Sequence, residues 1–260
     1  FCMKQKRRRW AYRLYLMLHG ICLLIVVAVI GFVFERVALS PALASELHPK
    51  KSFMVTQVEG DTGSAADMPA IDPDDWKLQL VNQWSPLPDG FDVDVVEVER
   101  GYQFDARAAD KLRAMLEDCR DAGLQPLICS AYRTHDYQTG LFERQIEKQK
   151  AKGLARQDAI DAAGQVVAVP GTSEHELGLA VDICALDYQL LDEGQEDTPE
   201  YQWLKSHCTE YGFILRYPPD TTEITGIIYE PWHFRYVGKQ AAVYITSHNL
   251  TLEEYLQQAG

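Results

Sequence analysis

From Leu14 to Phe34 the chain reads LYLMLHGICLLIVVAVIGFVF, without one formally charged side chain. At a rise of about 1.5 Å per residue, a helix of that length crosses a hydrocarbon layer of about 30 Å. Lys4, Lys6, Arg7, Arg8, Arg9 and Arg13 crowd the stretch before it. A uniformly apolar run beside such a basic cluster reads as a transmembrane helix rather than a buried core helix. The positive-inside rule keeps the cluster cytoplasmic and puts everything after Glu35 on the outer side. The expectation is an uncleaved, single-pass anchor. The alternative is secretion after cleavage at Ala42-Leu43-Ala44, but the apolar run exceeds the roughly 7 to 15 residues of a signal-peptide core, and Glu35 and Arg36 interrupt the approach.

This divides the chain into a basic cytoplasmic segment at 1–13, a transmembrane helix at 14–34, an extracytoplasmic stalk at 35–75 and a domain at 76–260. In the stalk, GDTGSAADMPAIDPDD holds almost nothing to bury and suits an extended linker. The domain has the composition to bury a core: the whole chain is 47% hydrophobic and 24% charged, close to globular averages. Its formal net charge of −13 argues against nucleic acid as a partner, because phosphate binding needs clustered Lys and Arg on the folded domain.

Within the domain the patterns alternate between helix and short strand. A helix with Asp105 as its cap carries Ala109, Leu112, Leu116 and Cys119 at helical spacing, and Gly123 closes it. Pro126 to Tyr132 is a short apolar run that suits a buried strand. Helices follow at about 136–152 and 156–163, then a strand at the end of GTSEHELGLAVDI. After an acidic loop come a helix at 200–211, strands at 213–217, 227–229 and 233–236, a helix from about Lys239, and a last one capped at Thr251. Mixed helices and strands without regular βα alternation indicate an α+β domain. Of the six cysteines, at 2, 22, 119, 129, 184 and 208, none forms a CxxC pair. Cys119, Cys129 and Cys184 lie in apolar stretches and are expected to be buried free thiols.

The chemistry concentrates in two short segments. His175 and Asp182 end the stretch HELGLAVD, and His233 closes EPWH. Two imidazoles and a carboxylate plus water is a ligand set that catalytic zinc uses, and the metal pulls the pKa of that water toward about 7. Such a water needs a base. Glu230 lies three residues before His233, with Pro231 fixing the backbone between them. A glutamate there takes a proton during attack and returns it to the departing amine. The HExxH helix of many zinc proteases is absent, since Leu177, Gly178 and Leu179 follow His175-Glu176, so Glu176 is not the base. Spacing alone is only moderately specific in a chain with 7 His and 38 Asp plus Glu.

Three ordered motifs add to this. SxHxxGxAxD is matched by Ser173, His175, Gly178, Ala180 and Asp182; ExWH by Glu230, Trp232 and His233; and SxYR followed by Gln by Ser130, Tyr132, Arg133 and Gln138. On these residues the chain resembles the VanY-type D-alanyl-D-alanine carboxypeptidases, from roughly Trp84 to Val243. The resemblance implies an α+β fold with a small antiparallel sheet flanked by helices and a zinc site on the sheet. It implies that His175, Asp182 and His233 hold Zn2+, that Glu230 is the base, and that Arg133 contacts the peptide and stabilises the tetrahedral oxyanion, which a guanidinium suits. Ser173 and Gln138 would bind the terminal carboxylate or peptide backbone, and Tyr132 and Trp232 would shape the pocket. Gly178, lacking a Cβ, would let the backbone turn closely around the site. His135, His207 and His248 match no motif and are expected to be surface or structural residues.

The function so implied is removal of the terminal D-alanine from a peptidoglycan stem peptide or precursor. An L,D-carboxypeptidase trimming tetrapeptide stems shares the same metal motifs. A non-catalytic zinc-binding module is a third reading, and the presence of Glu230 argues against it.

Overall fold

The computed structural model describes residues 68–69, 71–72 and 74–258. The expected anchor at 14–34 and most of the stalk lie outside the described residues. Among the described residues, no helix is long and apolar enough to cross a membrane.

The strands are β1 (Val95–Glu99), β2 (Tyr102–Asp105), β3 (Pro126–Ser130), β4 (Ala180–Ala185), β5 (Phe213–Leu215) and β6 (His233–Tyr236). The α-helices are α1 (Ala109–Asp121), α2 (His135–Ala151), α3 (Arg156–Gly164), α4 (Pro199–His207), α5 (Thr222–Thr225), α6 (Lys239–Ser247) and α7 (Leu252–Gln257). A four-stranded antiparallel sheet in the order β3-β4-β6-β5 forms the centre, and β1 and β2 make a separate hairpin. This is the expected α+β class.

Side chains alternate across a strand, and that alternation gives the central sheet two unlike faces. Val181, Ile183 and Phe234 point into a core with Leu112, Met115 and Leu116 of α1 and Tyr201 and Leu204 of α4. The opposite face carries Asp182, His233 and Arg235, all buried. At its β5 end that face continues into a second apolar cluster, where Ile214 packs with Ala242 and Ile245 of α6 and Leu252 and Tyr255 of α7. The last helix starts as expected at Thr251, whose side chain and Glu254 form a reciprocal capping box.

Several boundaries differ from the sequence reading. Asp105 does not cap α1; Ala108 holds that place, and the Asp105 carboxylate instead accepts the Arg107 backbone N–H and its guanidinium. The expected strand at 227–229 is irregular, because β6 already has β4 on one side and β5 on the other; Ile228 donates its N–H to the Gln165 carbonyl instead. The helix expected over 200–211 ends at His207 and tightens into a 3-10 turn at Cys208–Tyr211. The hairpin of β1 and β2 was not anticipated; its turn rests on Arg100 and Gly101, both at positive φ (52° and 83°), the conformation a two-residue hairpin turn requires.

Cys129 and Cys184 form a disulfide, which corrects the expectation of free thiols for this pair. The pairing of β3 with β4 shifts register between Ile128 and Ser130, and the bulge leaves Cys129 diagonal to Cys184 with their Cα atoms 6.6 Å apart, within bridging range. Two cysteines 55 residues apart in sequence meet only because their strands are neighbours. Cys119 and Cys208 are buried and unbridged, and burial pushes both thiols up to about 12, so they are inert at neutral pH.

Non-reducing peptide mapping should recover Cys129 joined to Cys184, with Cys119 and Cys208 alkylated only after unfolding. Replacing both bridged cysteines by serine should cost about 2 to 4 kcal/mol of stability in denaturant titrations.

Candidate active site

β4 and β6 run antiparallel with Asp182 directly opposite His233. Directly opposed residues project to the same face with their Cβ atoms about 5 Å apart, so strand pairing alone delivers a carboxylate and an imidazole to one spot. His175 arrives from the loop before β4, where Gly178 turns the chain at φ +79°. A Cβ on Gly178 would meet only ordinary contacts, Val93 at 3.4 Å and the Asp105 nitrogen at 3.6 Å, so the need for glycine is conformational rather than steric.

The three side chains converge. Nε2 of His175 lies 3.2 Å from Oδ2 of Asp182, and Nδ1 of His233 lies 3.1 Å from Oδ1. One ligand atom from each of the three falls within 4.8 Å of the others, and Asp182 Oδ1 is buried with no hydrogen-bond partner among the described residues. The other nitrogen of His175, Nδ1, contacts the Ala131 carbonyl at 2.7 Å, which leaves Nε2 to face the centre. A buried carboxylate with an imidazole nitrogen against each of its oxygens is a place for a divalent ion, and three such ligands leave a further position open.

Burial, and behind it the charge of Arg133, brings His175 down to about 4, so it is neutral and able to ligate. Burial alone would raise Asp182, but His175, His233 and Arg133 hold it well below the usual carboxylate range. Burial would lower His233, yet the carboxylates of Asp182, Glu174 and Glu230 beside it outweigh that and raise the ring to about 9. Burial pushes Glu230 up to about 8 against the pull of His233. Its Oε2 is 3.6 Å from His233 Nδ1, so this carboxylate borders the same centre.

Arg133 sits in the short connection between β3 and α2. Its guanidinium is held from three sides: Nε donates to Ser130 Oγ at 2.8 Å, Nη1 to Gln138 Oε1 at 3.2 Å and Nη2 to Asp182 Oδ2 at 2.7 Å. A guanidinium has five N–H donors, so two remain. A cleft of about 240 Å³ opens above the centre, lined by Arg133, Ser173, His175, Asp182, Glu230, Trp232 and His233.

The remaining expected residues fall in different places. Ser173 lines the cleft and accepts the His175 N–H at 3.3 Å. Gln138 is wholly buried; its Nε2 donates to the Ala168 carbonyl at 2.7 Å while its oxygen holds Arg133, so it supports the guanidinium from behind. Tyr132 lines a second cleft of about 490 Å³ together with His135 and Glu176, and His135 Nδ1 is 2.9 Å from Glu176.

Two participants escaped the sequence reading. Tyr217 lines the cleft and packs its ring 4.7 Å from that of His233. Glu174, next to His175, is buried with Arg216 and Arg235, which hold it below the usual carboxylate range although its burial alone would raise it. The available signal was two arginines inside otherwise apolar strand sequences, FILRY and HFRY, since a buried cation needs a buried anion.

A family model described as VanY, D-alanyl-D-alanine carboxypeptidase, matches residues 101–239. A D-alanyl-D-alanine carboxypeptidase of Enterococcus faecalis is 43% identical over 187 residues, covering 71% of this chain and 67% of the relative. The crystal structure of a glutamate-to-alanine mutant of the vancomycin resistance D,D-pentapeptidase VanY, from a VanB-type cassette and in complex with Zn(II), is 43% identical. It superposes with a TM-score of 0.64 over 70% of this chain and 99% of that one. VanYB in complex with D-alanine-D-alanine is also 43% identical, with a TM-score of 0.65 over 71% and 99%.

With its ring at about 9 in the metal-free protein, His233 is protonated at neutral pH and an incoming divalent ion must displace that proton. Apparent metal affinity should therefore rise about tenfold per pH unit from about 6 to 9 and level off above. Calorimetry at neutral pH in two buffers of different ionisation heat should read at least about one proton released per ion; pH-independent uptake without release would contradict the protonation of His233.

Proposed function

The chain belongs to the VanY family of D-alanyl-D-alanine carboxypeptidases, and we propose that it is a zinc-dependent enzyme that hydrolyses the terminal D-alanyl-D-alanine bond of peptidoglycan stem peptides. The observation that carries this reading is the presence of Glu230 and Arg133 in one cleft with the three convergent ligands. A site that only stored a metal would need neither. The Zn(II) in the VanY mutant and the D-alanine-D-alanine in VanYB support the same metal and substrate here.

His175, Asp182 and His233 would hold zinc, using Nε2, the carboxylate and Nδ1. When bound, zinc supplies Lewis acidity, polarising a carbonyl and lowering the pKa of water. Arg133 presents its two unused N–H groups to the substrate, for the terminal carboxylate or for the oxygen that gains charge as the peptide carbon becomes tetrahedral. Because Ser130, Gln138 and Asp182 hold that guanidinium, it is oriented before substrate arrives, and little ordering cost remains at the reaction step. Glu230 takes the proton of the attacking water and delivers it to the leaving amine. Its burial keeps the carboxylate basic, and a neighbouring cation favours the ionised form needed for the first transfer. Ser173, Trp232 and Tyr217 wall the cleft, and the Ser173 hydroxyl can donate to the peptide.

The same reading has the apolar run at 14–34 deliver the domain to the outer face of the membrane, on the strength of the basic residues before it and the place of peptidoglycan outside the cytoplasm.

Purified protein should release D-alanine from pentapeptide stems ending in D-alanyl-D-alanine; release from tetrapeptide stems alone would instead establish the L,D specificity. Glu230→Gln should lower kcat by roughly 100-fold to 10,000-fold with zinc content unchanged. Arg133→Lys keeps the charge but loses the fork, and should raise KM and reduce kcat together on the same peptide.

A further inference from the structure

Glu174 is wholly buried between Ser173 and His175, and its two oxygens face different neighbours. Oε1 accepts from Arg216 Nε at 2.7 Å and from Arg235 Nη1 at 2.8 Å. Oε2 accepts from neither guanidinium and lies 3.5 Å from Nε2 of His233. Both atoms of that pair, Glu174 Oε2 and His233 Nε2, are buried and have no hydrogen-bond partner among the described residues.

The two histidines of the centre are thus backed in different ways. His175 turns Nδ1 to a main-chain carbonyl. His233 turns Nδ1 to Asp182 and Glu230, so Nε2 is the nitrogen left over. An imidazole that ligates through one nitrogen carries its proton on the other, and a buried N–H needs an acceptor. The free Glu174 oxygen is the acceptor within reach.

The carboxylate is itself braced. The far end of Arg216 donates two bonds to Glu253 of α7, at 2.8 and 2.6 Å, and Asn82 donates to the same carboxylate at 3.1 Å. Arg235 Nη2 donates to the carbonyls of Lys77 and Gln79, at 3.0 and 2.9 Å. Two guanidiniums balance two carboxylates, and the 3-10 turn at Trp76–Leu78 and helix α7 both reach this cluster.

We propose that Glu174 is a positioning residue for His233: its free oxygen accepts the Nε2 proton and fixes the ring so that Nδ1 faces the metal, while Arg216 and Arg235 hold the carboxylate in place. The inference rests on the reading of His233 as a metal ligand. It concerns the grip on the metal rather than the chemical step.

In the full chain, Glu174→Gln should weaken zinc binding about 10- to 100-fold in competition with a chromophoric chelator. Glu253→Gln disturbs Arg216 from its other end without touching His233; it should lower Tm but keep zinc affinity within about twofold of wild type. Unchanged zinc affinity in folded Glu174→Gln, or an equal loss in both variants, overturns the proposal. Should Glu174→Gln fail to fold, zinc-loaded wild-type protein answers directly by long-range 1H–15N NMR. His233 is expected to carry a slowly exchanging proton on Nε2 with the metal on Nδ1, and a proton on Nδ1 overturns the assignment. Failure of the metal reading itself would look different: His233→Ala would bind zinc as tightly as wild type.

Discussion

Asp182 and His233 face each other across β4 and β6, and the rest of the site is arranged around that pairing. Side chains along a strand alternate with a period of two, so a slip of β6 by one residue would turn His233 into the apolar core and bring Phe234 out in its place. The packing of Val181, Ile183 and Phe234 against α1 and α4 therefore does more than stabilise the sheet. It selects the one register in which the ligands meet, and the site inherits the precision of a buried sheet rather than that of a loop.

Placing charges on a buried face is costly unless each is matched. Asp182 is matched by Arg133 and by the two histidines. Arg216 and Arg235, both fully buried, are matched by Glu174, and Arg216 also by Glu253. Among the described residues, the buried side-chain polar atoms without a hydrogen-bond partner are Asp182 Oδ1, Glu174 Oε2 and His233 Nε2, all at one centre. Unsatisfied polar atoms scattered through a core would be faults; here Asp182 Oδ1 stands where a cation belongs, and Glu174 Oε2 and His233 Nε2 face each other behind it.

Arg133 links this centre to the cleft. Its backbone N–H donates to the His175 carbonyl and its side chain to Asp182, so the residue proposed to face substrate is bonded to two of the proposed metal ligands. The disulfide between Cys129 and Cys184 ties the same two strands a few residues away, joining the approach to Arg133 with the strand that bears Asp182. In the proposed function, substrate recognition and metal holding thus share one bonded set of residues.

The sequence by itself determined the α+β class, most of the helices and the motif residues from which the site is built, because these follow from local periodicity and from short motifs whose members lie within about ten residues of each other. His175 to Asp182 and Glu230 to His233 were legible for that reason. The tertiary structure decided everything that depends on which segments become neighbours. It separated Tyr132, which faces a second cleft, and Gln138, which stands behind Arg133, from the residues lining the site. It brought Cys129 to Cys184 and added Tyr217. It gathered Glu174, Arg216, Arg235 and Glu253 into one cluster. A buried arginine in a strand announces that an anion must meet it, but which carboxylate does so is set by strand order and register, and those are settled by the packing of the whole domain rather than by any local stretch of chain.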